Sequence, residues 1–600
     1  MRRYSPALFF AILSLVFLWR STIGGHALLP GAYLAQMQPW KATQVAPEVR
    51  QWDPIQWDAI AEFYPWRAFY GRSIREGALP LWNPYQFCGT PFAANGQSAV
   101  FYPPNLIFAL IPPEVALGWS AALHLFLAGL FTFLLIRYLG MGLFGAYIGG
   151  ISYAFSAFMI TWLELPTLIN VAAWLPLVLL LIFSAVKTGK PALAAGTGVA
   201  LALAVLAGHL QIALYVFLMA GALWVWLIVR EAILTRRVAL PIILAILTFV
   251  VALLIAAPQL LPTLELVQLS HRVRQSGGDD FARFQSNAIP LHNLITALVP
   301  DFFGNPSKGN YWNGVPYAEF ALYIGVLPFV LAIIGVVHGL RRVRYASFFV
   351  AAAALSLLSA FGSFVNIPLY YGIPGFSALG GPNRIIVLYT LAMAVLAGIG
   401  ADWFAGICCK NDCPADDRDV KPPCRAALIA IFVVLVFYVG TFIATIAEFQ
   451  KLDQSSLGDL LSQIRPQVAT FAMLFLGAVL ILLLRGAARI SRLVFVGLII
   501  SLLIADLFSF GIHYNPTCAK SLVSQENPTA TSLRKIVGDQ RIMPLNAHWS
   551  LYSLPKATLP PNMSTLYGLY DVQGYDSLFT RRYKDFALTD LGRRRSADAG

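Results

Sequence analysis

The stretch Trp57–Phe108, WDAIAEFYPWRAFYGRSIREGALPLWNPYQFCGTPFAANGQSAVFYPPNLIF, decides how the rest of the chain is read. It follows one apolar run and precedes a long series of others, yet no apolar span of membrane length interrupts it. It is rich in aromatics, Pro and Gly, and it carries Asp58, Glu62, Arg67, Arg72 and Arg75. Such a segment belongs in or on the aqueous face of a membrane. The apolar runs around it are then scaffold, and the loop is where chemistry is expected.

The composition agrees. Hydrophobic residues make up 58% of the 600, charged residues 12%, and the mean hydropathy is +0.68. A soluble domain of this length could not hide so much apolar surface. Apolar runs long enough to span fall at about 7–24, 115–136, 141–160, 168–186, 191–207, 210–229, 238–258, 320–338, 346–361, 385–405, 426–447, 467–484 and 493–510. Alternate connections carry the basic residues, including Arg2/Arg3, Arg137, Lys187/Lys190, Arg230/Arg236/Arg237, Arg341/Arg342/Arg344 and Arg485/Arg489/Arg492. That bias puts the N-terminus in the cytoplasm and everything after residue 510 outside. The expected class is an all-α polytopic membrane protein of about thirteen transmembrane helices, with a large first extracytoplasmic loop and a small C-terminal α/β extracytoplasmic domain. Residues 1–114 form the first helix and large outer loop, 115–510 the helix bundle with a second outer loop at 259–319, and 511–600 the outer tail. The tail reads as an incomplete domain, as if the chain stops early.

The N-terminal MRRY and the apolar run to Trp19 also fit a cleaved signal peptide ending near Ala27. An uncleaved first helix is the reading adopted, and either leaves the next loop outside. The net charge of +13 is spread in small clusters between spans rather than in one patch, so no nucleic-acid partner is expected. Four of the six cysteines, Cys408, Cys409, Cys413 and Cys424, share one polar loop without the paired spacing of a zinc motif. Cys88 and Cys518 both fall on the outer face, where they could pair.

Asp58 and Glu62 are four apart and would share one helix face. They could serve as a general base, a metal ligand or a binder of sugar hydroxyls, or be two solvated acids paired with Arg67 or Arg72. The aromatics around them fit interfacial anchors or platforms for a sugar face or lipid chain. The second loop adds Asp301 and Glu319, and its segment VPDFFGNPSKGNYWNG reads as a mobile cover over a cleft. GGPNR ends at Arg384, at the mouth of a span, where a guanidinium could meet a phosphate or anchor the helix at the interface. Glu164, His209, Gln211, Gln259 and Glu265 sit near predicted outer ends, where polar groups usually face a cavity or another helix. No GxGxxG, Walker loop, HExxH or GxSxG is present, so dehydrogenase, ATPase, zincin and hydrolase readings have no motif support.

In order along the chain, DAIAEFYPW, GALPLWNPYQFCGTPFAANGQSAVFYPPNLIF, AGHLQIALY, APQLLPTLELVQLS, GGPNR and LYDVQGYDSLFTRRY resemble the YfhO family of bacterial membrane proteins. The resemblance implies a membrane glycosyltransferase of the C-type fold in the inner (plasma) membrane. It would move a sugar from a polyprenyl-phosphate donor to an envelope polymer, glycan or lipid on the outer face. It also implies a catalytic acid in the first outer loop, which falls on Asp58 with Asp53 as the fallback, acting as general base. Glu62 would orient the acceptor or hold a divalent metal ion. Asp301 or Glu319 is the expected second acid. The chemistry of a departing phosphate points to Arg384 as its partner. Here the tail is shorter than in longer relatives. Two other readings stay open. A lipid or polymer transporter would need mid-span charges and inverted repeats; mid-span charges are few and no repeat is evident. A non-catalytic envelope scaffold would tolerate any residue at position 58.

Overall fold

The computed structural model describes residues 5–43, 49, 52–234, 236, 238–271, 280–405, 424–449, 454–523, 527–546, 554 and 556–587. The chain is mostly helical, and each of the thirteen apolar runs falls on a helix. Among the described residues, nine helices are long and apolar enough to cross a membrane. The other four, Ser5–Phe17, Pro191–Leu206, Val326–Leu340 and Ala346–Ala360, are apolar but of 10–17 residues. These are shorter than the roughly 20 residues that an upright crossing needs. The expected spans at 141–160 and 168–186 are each broken, into Leu143–Ala154 with Ala157–Thr161 and Pro166–Ala172 with Leu175–Thr188.

The helix Ile386–Phe404 is the axis of the bundle, and the span containing it is buried on every side. A helix apolar all round belongs in the centre, and close approach of its neighbours is what keeps it there. Gly400 faces Leu331 on the helix Val326–Arg342, and Gly335 returns the contact against Leu396. A Cβ at either position would fall 1.9 or 2.1 Å from the facing carbonyl oxygen. On the opposite side Gly145 and Gly149 admit the backbone at Gly398 and Ala394. At the far end Asp402 Oδ1 accepts from the Gly145 N–H at 2.7 Å, capping the helix Leu143–Ala154 from outside it. Gly400→Val is therefore expected to abolish the folded, monodisperse species in detergent, as read by size-exclusion chromatography. An exposed control, Gly372→Val, meets nothing within 4 Å and should leave the profile unchanged.

Among the described residues two apolar cores are present. The larger fills the bundle. The second lies outside it and joins the large loop to the tail, with Tyr33, Trp40, Trp57, Tyr64 and Trp66 against Met563, Leu566 and Tyr567. The tail contributes two-residue strands. Cys518–Ala519 pairs antiparallel with His26–Ala27 of the loop, and Arg541–Ile542 pairs parallel with Tyr570–Asp571. Its apolar side chains are buried largely on the loop. Arg72 donates to the Thr565 carbonyl at 2.9 Å, Phe87 N–H to Gln573 at 2.9 Å and Asn95 to Asp576 at 2.7 Å. Loop, second loop and tail thus meet at one end of the bundle, and the candidate residues collect there.

Candidate functional site

Asp58 stands where the winding of the chain changes. Pro54–Asp58 is a short α-helical turn with Pro54 at its start, capped by Asp53, whose carboxylate accepts from the Ile55 N–H at 2.9 Å. Ala59–Phe63 then forms a π-helical turn before Tyr64–Arg75 returns to α. A wider turn shifts the side chains beside it out of α-helical register, and such turns recur at functional sites. Trp57, Glu62 and Tyr64 are enclosed, whereas Asp58 keeps partial access to solvent. The start of the helix is pinned through Tyr33, whose hydroxyl accepts from the Asp53 N–H at 3.0 Å and donates to Gln56 Oε1 at 3.3 Å.

The tail reaches this point. The Tyr575 hydroxyl donates to Asp58 Oδ1 at 2.6 Å. Asn562 ties the two segments together, accepting from the Tyr575 N–H at 3.0 Å and donating to the Ala61 carbonyl at 2.8 Å. Burial pushes the Asp58 carboxyl up, to about 7. The Tyr575 hydrogen bond and then the Arg384 charge pull it down, and the Asp53 charge pushes it further up. Burial, with the charges of Asp58 and Glu62, keeps the Tyr575 hydroxyl protonated.

Arg384 belongs to the turn Asn383–Ile385 that opens the axial helix. Glu319 grips it: Nε lies 3.1 and 3.0 Å from the two carboxylate oxygens and Nη2 lies 2.5 Å from Oε1. Asn383 donates a further bond to Glu319 at 2.8 Å. The guanidinium lies over the Trp162 ring, 4.8 Å from its centroid, and Nη1 is 3.3 Å from His209 Nε2. Burial, and then the adjacent Arg384 charge, push His209 down to about 3, so its ring is neutral at pH 7. A carboxylate, an aromatic face and a neutral imidazole therefore hold one guanidinium within electrostatic reach of Asp58.

The other candidates separate. Asp53 is a helix cap, in charge contact with Asp58 and with Glu164. Glu62 lies close enough to Tyr575 to act on it by charge. Asp301 is used locally, accepting from Tyr317 at 2.6 Å, Asn305 at 2.9 Å and Lys308 at 2.6 Å. These bonds brace the segment 301–317, together with Trp312 N–H on the Phe303 carbonyl at 3.1 Å. The expected mobile cover is thus a cross-braced loop, because its Asn, Tyr and Lys side chains bond within it.

Two more expectations are corrected. Arg67 and Arg72 do not neutralise the acids: Arg67 is fully buried and donates to the Ser98 and Gln97 carbonyls, and Arg72 to those of Thr565 and Leu566. Their work is to order the loop and dock the tail. Cys88 and Cys518 are both free thiols. Cys408, Cys409 and Cys413 lie outside the described residues.

Sequence reasoning missed Tyr575 and Trp162. It flagged Glu164 only as a polar residue near a helix end. Glu164 sits in the break between Ala157–Thr161 and Pro166–Ala172, buried, with neither carboxylate oxygen hydrogen-bonded among the described residues. Burial and the Asp53 charge raise it well above the usual carboxylate range. Among the described residues no three His, Cys, Asp or Glu side chains converge as metal ligands. The acids near Asp58 act on one another through charge and, among the described residues, do not form the ligand set of a divalent ion.

The family model described as bacterial membrane protein YfhO matches residues 101–599. Among solved structures, ArnT from Cupriavidus metallidurans bound to undecaprenyl phosphate is 13% identical, with a TM-score of 0.46, covering 98% of this chain and 89% of that one. The arabinofuranosyltransferase AftD from Mycobacteria is 15% identical with a TM-score of 0.42, over 74% of this chain. This chain spans 28% of the AftD chain. No curated protein matches significantly. With a match covering most of its length and nine membrane-length apolar helices among the described residues, the chain is a multi-pass membrane protein and belongs to the YfhO family.

Proposed function

We propose that this protein is a membrane glycosyltransferase that moves a sugar from a polyprenyl-phosphate donor to an envelope polymer, glycan or lipid. The observation that carries the reading is that Asp58, a half-buried carboxylate raised to about 7, lies within electrostatic reach of the Arg384 guanidinium that Glu319 holds fixed. As the acceptor hydroxyl attacks the anomeric carbon, Asp58 takes its proton. The bond from that carbon to the phosphate oxygen breaks, and the electron pair leaves with the polyprenyl phosphate. Arg384 stabilises the charge that develops there. Asp53 holds the helix that presents the base, and Glu319 holds Arg384. The distribution of Lys and Arg supports an inner-membrane protein with its N-terminus in the cytoplasm and its loop, site and tail outside.

The test is transfer of labelled sugar from a polyprenyl-phosphate donor in reconstituted vesicles, followed across pH. A base must be deprotonated to act, so transfer should rise as pH passes through about 7. Tyr575→Phe removes a donor that favours the carboxylate, so Asp58 should titrate higher and the rising limb should move to alkaline pH. The loss relative to the unaltered protein should then be larger at pH 6 than at pH 9. A Tyr575→Phe profile that falls equally at all pH values would make Tyr575 a packing residue only. No transfer from any polyprenyl-phosphate sugar by the unaltered protein would remove the enzyme reading and favour the envelope scaffold.

A further inference from the structure

A cavity of about 610 Å³ opens where the first helix and the last membrane helix end beside the loop layer. Its walls come from Phe17–Ser21, His26, Leu28–Tyr33, Gln56, Pro306–Ser307 and Gly511–Ala519, with Val49 and Leu522. The volume suits a small-molecule site. Phe17 and Leu18 close the first helix region, and Gly511 ends the helix Arg492–Gly511, so the mouth lies at the level where the apolar spans give way to the loops. Trp19, 48% exposed, marks that level, as aromatic residues do at membrane interfaces.

The chemistry of the lining is one-sided. It includes Arg20, His26 and His513, and among the described residues no Asp or Glu lines it. All three side chains are exposed. Arg20 lies against the Trp19 ring at 5.7 Å and has no carboxylate partner among the described residues. Its deeper walls mix apolar Leu28, Leu29 and Ile512 with polar Tyr33 and Gln56. This is the reverse of the neighbouring site, where Asp53, Asp58 and Glu164 gather. Tyr33 and Gln56 line the cavity and also hold the helix that carries Asp58, so the two spaces share a wall.

We infer that this cavity binds the phosphate headgroup of an anionic membrane amphiphile that enters from the bilayer interface. Arg20, with its fork of donors, meets the phosphate; His26 and His513 extend the donor set; the leucine wall takes the first methylenes of the chain. The inference goes beyond the transfer reading and does not depend on it.

The test is photo-labelling of the purified full-length protein by a diazirine-bearing phosphatidylglycerol, with peptides mapped by mass spectrometry. Phosphatidylcholine carrying the same label, and excess inorganic phosphate as competitor, complete the set. Labelling of peptides containing Trp19–Thr22 or His513–Thr517 is expected with phosphatidylglycerol, and inorganic phosphate should not displace it. Arg20→Gln with His513→Gln should lower it about tenfold or more, the scale of a lost charge-assisted contact. Both side chains are exposed, so these changes should leave folding intact, and Arg20→Lys should retain partial labelling. Equal labelling of the double variant, or equal labelling by phosphatidylcholine, would overturn the proposal. Complete displacement by inorganic phosphate would overturn the lipid as the source and assign the cavity to a soluble anion.

Discussion

Asp58→Asn is expected to lower sugar transfer by about 10²–10⁴-fold, the usual contribution of a general base, while leaving the protein folded. The fold should survive because Asn keeps the shape of Asp and can still accept the Tyr575 hydroxyl proton through its carbonyl oxygen. Only the capacity to take a proton is lost. Asp53→Asn is the matched comparison. Asn caps a helix as well as Asp, so the turn Pro54–Asp58 should persist and transfer should fall by far less. The two variants assayed at equal protein level in vesicles separate the acids, which are five residues apart and in charge contact. Full transfer by Asp58→Asn would remove this carboxylate as the base. The same result for both variants would point away from the loop altogether.

Arg384→Met should cost both stability and activity. Glu319 would then hold a buried carboxylate without its cation, and breaking such a pair costs about 3 kcal/mol or more. The measurement is thermal unfolding in detergent beside transfer in vesicles. Adding Glu319→Leu should restore much of the lost stability, because the stranded charge is gone and the side chain packs in an apolar setting. Transfer should stay low in the double variant, since no guanidinium remains to meet the departing phosphate. Recovery of transfer together with stability would make the pair a structural tie between the segment Tyr317–Phe320 and the axial helix, with no part in the reaction.

Much of the fold was legible because hydropathy is a local property. A run of apolar residues declares a helix wherever its neighbours finally sit, and all thirteen runs became helices. Their lengths were less legible. The break at Phe155–Ser156 is capped by Ser156 and held by the Ala157 N–H on the Tyr323 carbonyl at 2.8 Å, and the break at Ala173–Trp174 precedes Pro176 in the first turn of the next helix. Arg384 was readable as a cation at a helix mouth, since Gly-Gly-Pro-Asn before an apolar run marks an entrance. Its grip by Glu319 was not, because the partner lies 65 residues away.

Composition and spacing are enough to specify a chain of apolar helices with Asp58 and Arg384 at their aqueous ends. Spans of that composition are stable only with their polar residues gathered outside the hydrocarbon. Which of those polar groups meet depends on long-range packing. Tyr575 reaches Asp58 across 517 positions, and Trp162 lies beneath Arg384, because the tail and the loop bury one another's aromatic faces and the axial helix fixes where that layer rests. Contacts of that kind depend on how separate segments close around a common core, which no local pattern of residues encodes.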